Sequence, residues 1–491
     1  MPELLVRVEA VNLGSFILDT QDISTVRGGG LLLLDMAADL EKELGSRYGL
    51  SKVFTAGSIG LFHAESGDAG RITEAIQLWI AGRPALKDAT IQVQTTQVQG
   101  TETIGTNFVG IHTRVKSKVR WGQMQSPTVV YPTALEQDQI CLYDRVRPAS
   151  ATVPDPVSAA TKSRREYGRK QKMSFYRLEA HVPVDWNYTH DLDDLTGDHH
   201  QGNLHHKMAL IYLDGNKFSK VVGSCKTKEE LGRWSRILRA NQASVLRHIL
   251  EGLRGIVGDE KDLPVETLLW GGDEIIWAVP AWLGWWWMNE FYRNYGRLGE
   301  WPIDGKTVTT TDRYSDTHLL THGAAIVFCH HNAPIQRVIG LAKGLADWPK
   351  EKGLANTFTY QVLESFDHLG EDAGQARLDR IPAGFGKDFY CLPGDRMGEI
   401  QEAVWKLKAC VPKGELHALV QLLCREKDMP DAEKQAADVL VKSVKRDAKA
   451  KDHLSNLAEA LGMETLAAWI HLLELWDYIV QPTTDATRRA R

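Results

Sequence analysis

Apolar residues along this chain fall into two rhythms, and the switches between them mark the elements. Residues 4–11 form a dense apolar run that reads as a strand. Residues 31–44 follow Gly28-Gly29-Gly30 and carry helical spacing, and residues 52–63 read as strand around Ala56-Gly57-Ser58. Residues 68–81 are helical, with Ile72, Ala75, Ile76 and Trp79 on one face, and residues 90–98 alternate as a strand. Strand, helix, strand, helix, strand suits a ferredoxin-like unit.

A similar progression recurs further on. An apolar strand over 208–213 ends on Asp214, and a long helix over 228–253 follows, striped by Leu231, Trp234, Leu238, Val245, Ile249 and Leu253. Two strands, 266–270 and 275–279, are separated by Gly271-Gly272-Asp273-Glu274. An aromatic helix over 281–295 comes next, then a strand over 323–329. Pro334 opens a helix with Ile335, Ile339, Ala342 and Ala346 on its buried stripe, and 357–363 is a last strand. Beyond 385 only helical spacing remains, over 397–409, 413–426, 431–448 and 453–480. The expected organisation is an α+β chain: an N-terminal unit over 1–135, a linker or insertion over 136–204, a central unit over 205–370 and a helical domain over 385–482.

The chemistry concentrates in the central unit. Gly271-Gly272 between two β-rich runs reads as a tight hairpin, because glycine readily supplies positive φ at both central positions. Asp273 and Glu274 then lie at its tip. If the strand ending at Asp214 lies alongside, two or three carboxylates meet at one sheet edge, an arrangement that holds a pair of divalent cations for in-line phosphoryl chemistry. The amides of Gly215, Asn216 and Lys217 would follow Asp214 as a nest for phosphates. At the corresponding place in the N-terminal unit the chain reads Ala56-Gly57-Ser58, with no carboxylate, so catalysis is not expected there.

These runs, Asp214-Gly215-Asn216-Lys217-Phe218 and Gly271-Gly272-Asp273-Glu274, with Gly323–Cys329 and Lys343 downstream, resemble the large palm-domain polymerase/cyclase subunit of type III CRISPR effector complexes, a relative of GGDEF-type nucleotide cyclases. The resemblance implies two ferredoxin-like palm units, the first non-catalytic, and a helical C-terminal domain. It implies Asp214 and Asp273 as ligands of two Mg²⁺ or Mn²⁺ ions, assisted by Glu274, and ATP as substrate. Gly215, Asn216, Lys217, Gly271, Gly272 and Lys343 would bind the nucleotide, Lys343 by reaching the triphosphate. The implied product is a cyclic oligoadenylate in antiviral defence. Two alternatives stand beside it: an RNA-holding scaffold subunit with little or no synthesis, and a cyclase making a cyclic mono- or dinucleotide. RNA and other CRISPR subunits are the expected macromolecular partners, and a homo-oligomer is compatible. In that family a small zinc-binding insertion often ends in Pro-Ala. Here Cys141 is followed by Asp144 where a second cysteine would stand, so no zinc is expected before Pro148-Ala149.

Several other stretches invite a ligand but have plainer readings. Gly28-Gly29-Gly30 suits a phosphate cradle or, more simply, a flexible entry loop. The basic runs 114–121 and 162–172 suit phosphate contact or a solvated face. Residues 190–206 gather five histidines and four aspartates, suiting a transition metal or a mobile acidic loop. Four tryptophans, Trp282, Trp285, Trp286 and Trp287, suit core packing more than base stacking.

Composition narrows the class. A chain of 491 residues has room for two to four domains. Hydrophobic and charged contents of 43% and 25% are those of ordinary globular proteins. A net charge of −5 confines any nucleic-acid binding to local patches. No apolar run reaches membrane-spanning length, and the first residues lack a basic and apolar leader. Six scattered cysteines without a Cys-x-x-Cys pair suit reduced thiols, hence a cytoplasmic protein.

Overall fold

The computed structural model describes residues 2–98, 100–126, 139–150, 155–216, 218–295, 301–303, 306–308, 321–364, 381, 386–426 and 429–481. Its N-terminal unit runs β1 (Leu4–Val11), α1 (Ile23–Tyr48), β2 (Leu50–Ala56), β3 (Ile59–Ala64), α2 (Ala69–Ala81) and β4 (Thr90–Gln97). The antiparallel sheet has the order β2-β3-β1-β4. α3 (Phe108–Gln125) then lies on the sheet through buried Phe108, Ile111, Val115 and Val119. The basic run 114–121 is therefore helix, with Arg114, Lys116, Lys118 and Arg120 on its exposed face.

The central unit repeats this topology. β5 (Lys207–Gly215), α5 (Lys228–Val257), β6 (Glu266–Gly271), β7 (Glu274–Pro280), α6 (Ala281–Asn294) and β8 (His322–His330) give the order β6-β7-β5-β8. α7 (Ile335–Glu351) leads to β9 (Thr357–Val362), parallel to β8, and β10 (Leu392–Pro393) closes the sheet at six strands. Every residue of β5 from Met208 to Leu213 is buried, as expected for a strand covered on both faces. Trp282, Trp285 and Trp287 are core residues, and only Trp286 is half-buried.

Buried charge and close backbone contact join the units. α4 (Ala159–Ala180) crosses α1 where Gly28 faces Gly168; a Cβ on Gly28 would meet Arg164 O at 1.9 Å, and one on Gly30 would meet Leu268 O at 2.8 Å. Gly28-Gly29-Gly30 thus lies inside α1 as a packing seam, and neither a cradle nor an entry loop exists. Buried Glu266 on β6 accepts from Arg27 of α1 (2.5 Å) and Lys172 of α4 (2.7 Å). Arg164, also buried, forks onto Asp19 at 2.9 and 2.8 Å. The run 162–172 therefore spends two of its cations inside the protein, where an unpaired partner would cost about 3–5 kcal/mol. Tyr167 donates to Asp35 (2.6 Å).

Asp144 is buried. It accepts the Val146 and Arg147 amides at 3.0 and 2.8 Å and the Ser158 and Thr161 hydroxyls at 3.0 and 2.7 Å. Burial alone would raise its carboxyl, but these donors outweigh it and hold the pKa at about 2. The six cysteines are free thiols. The C-terminal helices are α8 (Met397–Cys410), α9 (Lys413–Gln421), α10 (Met429–Arg446), α11 (Ala450–Leu461) and α12 (Thr465–Glu474). The break at Gly462, φ 69°, divides the single helix expected over 453–480.

Candidate functional site: a carboxylate edge at the junction of two hairpins

β5 delivers Asp214 to the end of the central sheet. Its Cα partner on β7 is Glu274, so the two side chains stand on one face, together with Tyr212 two residues earlier. Tyr212 donates its hydroxyl to Glu274 Oε1 at 2.6 Å. Burial, then the Glu274 charge, pushes the phenol pKa up, so it remains a donor. Gly271 pairs with Glu274, which puts Gly272 and Asp273 at the tip of a two-residue turn. The turn is thus one residue later than a Gly271-Gly272 tip would be, and it carries Asp273 itself. The Gly215 amide donates to the Asp273 carbonyl at 2.9 Å and fixes the tip against β5.

α7 covers this face with cations. Lys343 and Lys350, two turns apart, both point to it. Lys343 Nζ lies 3.3 Å from Glu274 Oε1, and the Lys350 ammonium contacts Asp214 Oδ2 directly. Asp347, between them, has its carboxyl pKa raised by burial, with Lys343 opposing and Glu351 and Glu274 adding to the rise. The Asp273 pKa is also raised, chiefly by burial and further by Glu274, against its own backbone hydrogen bond and Lys343. The Asp214, Asp273 and Glu274 carboxylates do not close within 4.8 Å of one another as a trio. Two of them are turned toward lysines instead. Three carboxylates thus lie along one sheet edge, and two of them already draw ammonium groups.

The phosphate nest is not available as expected. The Gly215 amide is committed to Asp273, and the Asn216 amide to Thr321 O at 2.8 Å. A Cβ on Gly215 would strike the Phe218 ring at 2.8 Å, so this glycine makes room for the core. Lys217 lies outside the described residues. Gly271 and Gly272 face the N-terminal unit: a Cβ on Gly271 would meet Gly57 Cα at 2.7 Å, and one on Gly272 would touch Ala56 at 3.6 Å. Gly271 has φ 143°, Gly272 63° and Gly57 51°, and Gln242 Nε2 donates to Gly272 O at 2.8 Å. The two hairpins meet tip to tip.

No protein-family model matches the chain, and no curated protein matches it in sequence. Its fold has solved counterparts. A Csm1–Csm4 cassette in complex with cA4 matches with TM-score 0.59 at 15% identity, over 97% of this chain and 70% of that one. Csm1 from T. onnurineus matches with TM-score 0.58 at 15% identity, over 98% and 70%. The Csm1–Csm4 subcomplex of the type III-A CRISPR-Csm interference complex matches with TM-score 0.52 at 14% identity, over 98% and 70%. The chain has the Csm1 fold. The two palm-like units and helical C-terminal region expected from the sequence are those of Csm1 as a fold class.

Within this Csm1-like architecture, sequence reasoning missed Tyr212, Asp347, Lys350 and Glu9. The spacing 343, 347, 350 on one helix face was the available signal for two of them. Glu9 sits opposite Ile59 on β1–β3, the register that Asp214 and Glu274 occupy on β5–β7. Arg7 and Arg120 hold it at 2.7 and 2.9 Å.

Proposed function

We propose that the chain is a metal-dependent nucleotidyltransferase that joins ATP through 3′–5′ bonds into a cyclic oligoadenylate in CRISPR-type defence. The observation that carries this reading is the Asp214–Glu274 pair, opposite each other on adjacent strands, with Asp273 one residue away at the tip. Asp214 and Asp273 are the residues to hold Mg²⁺ or Mn²⁺, with Glu274 assisting. Bound there, the ions would supply Lewis acidity at the ribose hydroxyl and neutralise triphosphate charge. Tyr212 keeps Glu274 aimed across the strand pair. Lys343 is exposed and free to turn from Glu274 to a triphosphate, and Lys350 compensates the Asp214 charge until a cation arrives.

A Csm1–Csm4 cassette holding cA4 supports the product class, and the Csm1–Csm4 subcomplex supports a second protein subunit as partner; RNA is the further partner the proposed role calls for. Among the described residues no helix is long and apolar enough to cross a membrane. The test is incubation of the pure chain with ATP and Mg²⁺ or Mn²⁺, with and without target RNA, followed by mass spectrometry of the products. Cyclic oligoadenylates lost in Asp273→Ala support the reading. A cyclic mono- or dinucleotide reassigns the product, and synthesis at the wild-type rate in Asp273→Ala rejects the site. RNA binding without any product favours a scaffold.

A further inference from the structure

At the opposite end of β5 from Asp214, a second group of ligand-type side chains closes up. His206 immediately precedes β5, and His331 immediately follows β8; the register pairs Lys207 with His330 between them. Asp193 comes from the helical turn Leu192–Thr196. Asp193 Oδ1 lies 3.3 Å from His206 Nδ1 and 3.5 Å from His331 Nε2, and all three ligand atoms fall within 4.8 Å of one another. Ligand atoms bound to one tetrahedral zinc at ~2.0–2.1 Å sit roughly 3.4 Å apart. These two edges match that spacing.

The hydrogen bonds around His331 fix which of its ring nitrogens faces the other two groups. The His206 carbonyl accepts from the His331 amide at 2.9 Å and from His331 Nδ1 at 3.1 Å. Nδ1 therefore carries the hydrogen, and a neutral His331 presents a bare lone pair at Nε2. A histidine ligand whose other nitrogen is held by a carbonyl is oriented in the manner of metal sites. His206 Nδ1 is sealed from water and faces Asp193 Oδ1 as its ion-pair neighbour. Two imidazole nitrogens and a carboxylate oxygen converging at these distances suit a shared cation. His206 is also held at φ 63°, a left-handed conformation uncommon outside glycine, and its amide donates to Thr196 O at 3.1 Å. The ring is thus aimed by its backbone.

We propose that Asp193, His206 and His331 form a binding site for one divalent transition-metal ion of the zinc class, distinct from the carboxylate edge. Two imidazoles select Zn²⁺, Co²⁺ or Ni²⁺ over Mg²⁺. The fourth position opens beside Asp193, whose side chain is 71% exposed, and is left to water. The ion would staple the segment before β5 to the ends of the two central strands, a structural role remote from the nucleotide chemistry.

The test uses the full chain, without a histidine tag, stripped by chelator and titrated with Co²⁺ and Zn²⁺. One equivalent of Co²⁺ with the strong visible bands of a tetrahedral site is expected. His331→Ala and Asp193→Asn should each weaken binding at least about tenfold. His206→Asn keeps a residue that tolerates left-handed φ, so it removes the ligand with least disturbance of the fold and decides the matter should His331→Ala fail to fold. Asp214→Asn should bind Co²⁺ as the wild type does. No stoichiometric binding, in which case the group is bridged by a proton, overturns the proposal. So does wild-type affinity in His206→Asn, or loss of the Co²⁺ spectrum in Asp214→Asn.

Discussion

Glu9 occupies in the first palm-like unit the place that Asp214 occupies in the second. The Ala10 amide donates to Ser58 O at 3.0 Å, as the Gly215 amide does to Asp273 O at 2.9 Å, so the two strand–hairpin junctions superimpose in kind. Their chemistry diverges in the partners. Asp214 faces Glu274 and sits next to Asp273; Glu9 faces Ile59, sits next to Ser58, and is clamped by Arg7 and Arg120. A lone carboxylate held by two guanidinium groups has no charge left for a cation. Asp214→Asn is therefore expected to cost several kcal/mol of transition-state stabilisation, on the order of a thousandfold in rate of ATP turnover. Glu9→Gln should retain synthesis but lower folding stability by about 3 kcal/mol, because it strands buried Arg7. Parallel turnover assays and urea melts separate the two, and loss of synthesis in Glu9→Gln would show that the first unit's edge takes part.

The crowding of acids at the hairpin tip has a stability cost in the absence of cation. Burial raises the Asp273 pKa in the folded state, and Glu274 raises it further. The folded chain thus holds this proton more tightly than the unfolded one, and stability falls as pH rises from the ordinary carboxyl value of 3.8 through the raised pKa. Asp273→Asn removes that ionisation. Without metal, the variant is expected to melt higher than wild type at pH 7 and to lose the advantage as pH drops below the carboxylate range. Added Mg²⁺ with a non-hydrolysable ATP analogue should raise the wild-type Tm and leave the variant unmoved. Equal melting temperatures at pH 7 would mean that the tip stores no such repulsion.

Gly271 carries a different burden. At φ 143° it lies where side chains are strained, and its missing Cβ is filled by the Gly57 backbone. Gly271→Ala is expected to cost about 1–3 kcal/mol for the backbone conformation, with more from parting the hairpins. Because Asp273 is two residues on, synthesis should fall more steeply than stability. Gly57→Ala probes the same contact from the other side, where the added Cβ meets Gly271 only at 3.5 Å, and it should be the milder change. Comparison of Tm with turnover for the two variants checks this order.

The elements and the acidic edge were legible in the sequence because their signals are local. Apolar runs, a Gly-Gly turn and a strand ending on Asp214 need no knowledge of the rest of the chain. What escaped was set by pairing at long range. Gly28-Gly29-Gly30 looks like a loop, yet the backbone of α4 at Arg164 fills the space beside it. The basic run 162–172 looks solvated, yet Asp19 and Glu266, from two distant segments, bury its Arg164 and Lys172. The amides after Asp214 look free, yet Asp273 O and Thr321 O claim them. Lys350 could be placed on the helix face of Lys343, but only strand pairing shows that this face covers Asp214.

His322 on β8 supplies a prediction that tests the interior beneath the site. It is completely buried opposite Gly215, ringed by Tyr295, Phe291 and Phe218 at 4.3, 5.2 and 5.5 Å, and neither ring nitrogen has a hydrogen-bond partner. Burial pushes its pKa down from 6.5 to about 3. The folded state therefore refuses a proton that the unfolded chain accepts, so this residue's contribution is intact above pH 6.5 and is lost as pH falls toward 3. At pH 5 the loss amounts to about 2 kcal/mol. His322→Leu keeps an apolar side chain of similar size and leaves no polar atom unpaired. At pH 7.5 it should be neutral or stabilising by about 1–2 kcal/mol, and its stability should fall less than that of the wild type between pH 7 and pH 5. Chemical denaturation across that range decides it: parallel curves for the two proteins would mean that His322 finds a proton partner in solution, and a destabilised His322→Leu at pH 7.5 would mean that its imidazole does work in the aromatic nest that an alkyl chain cannot.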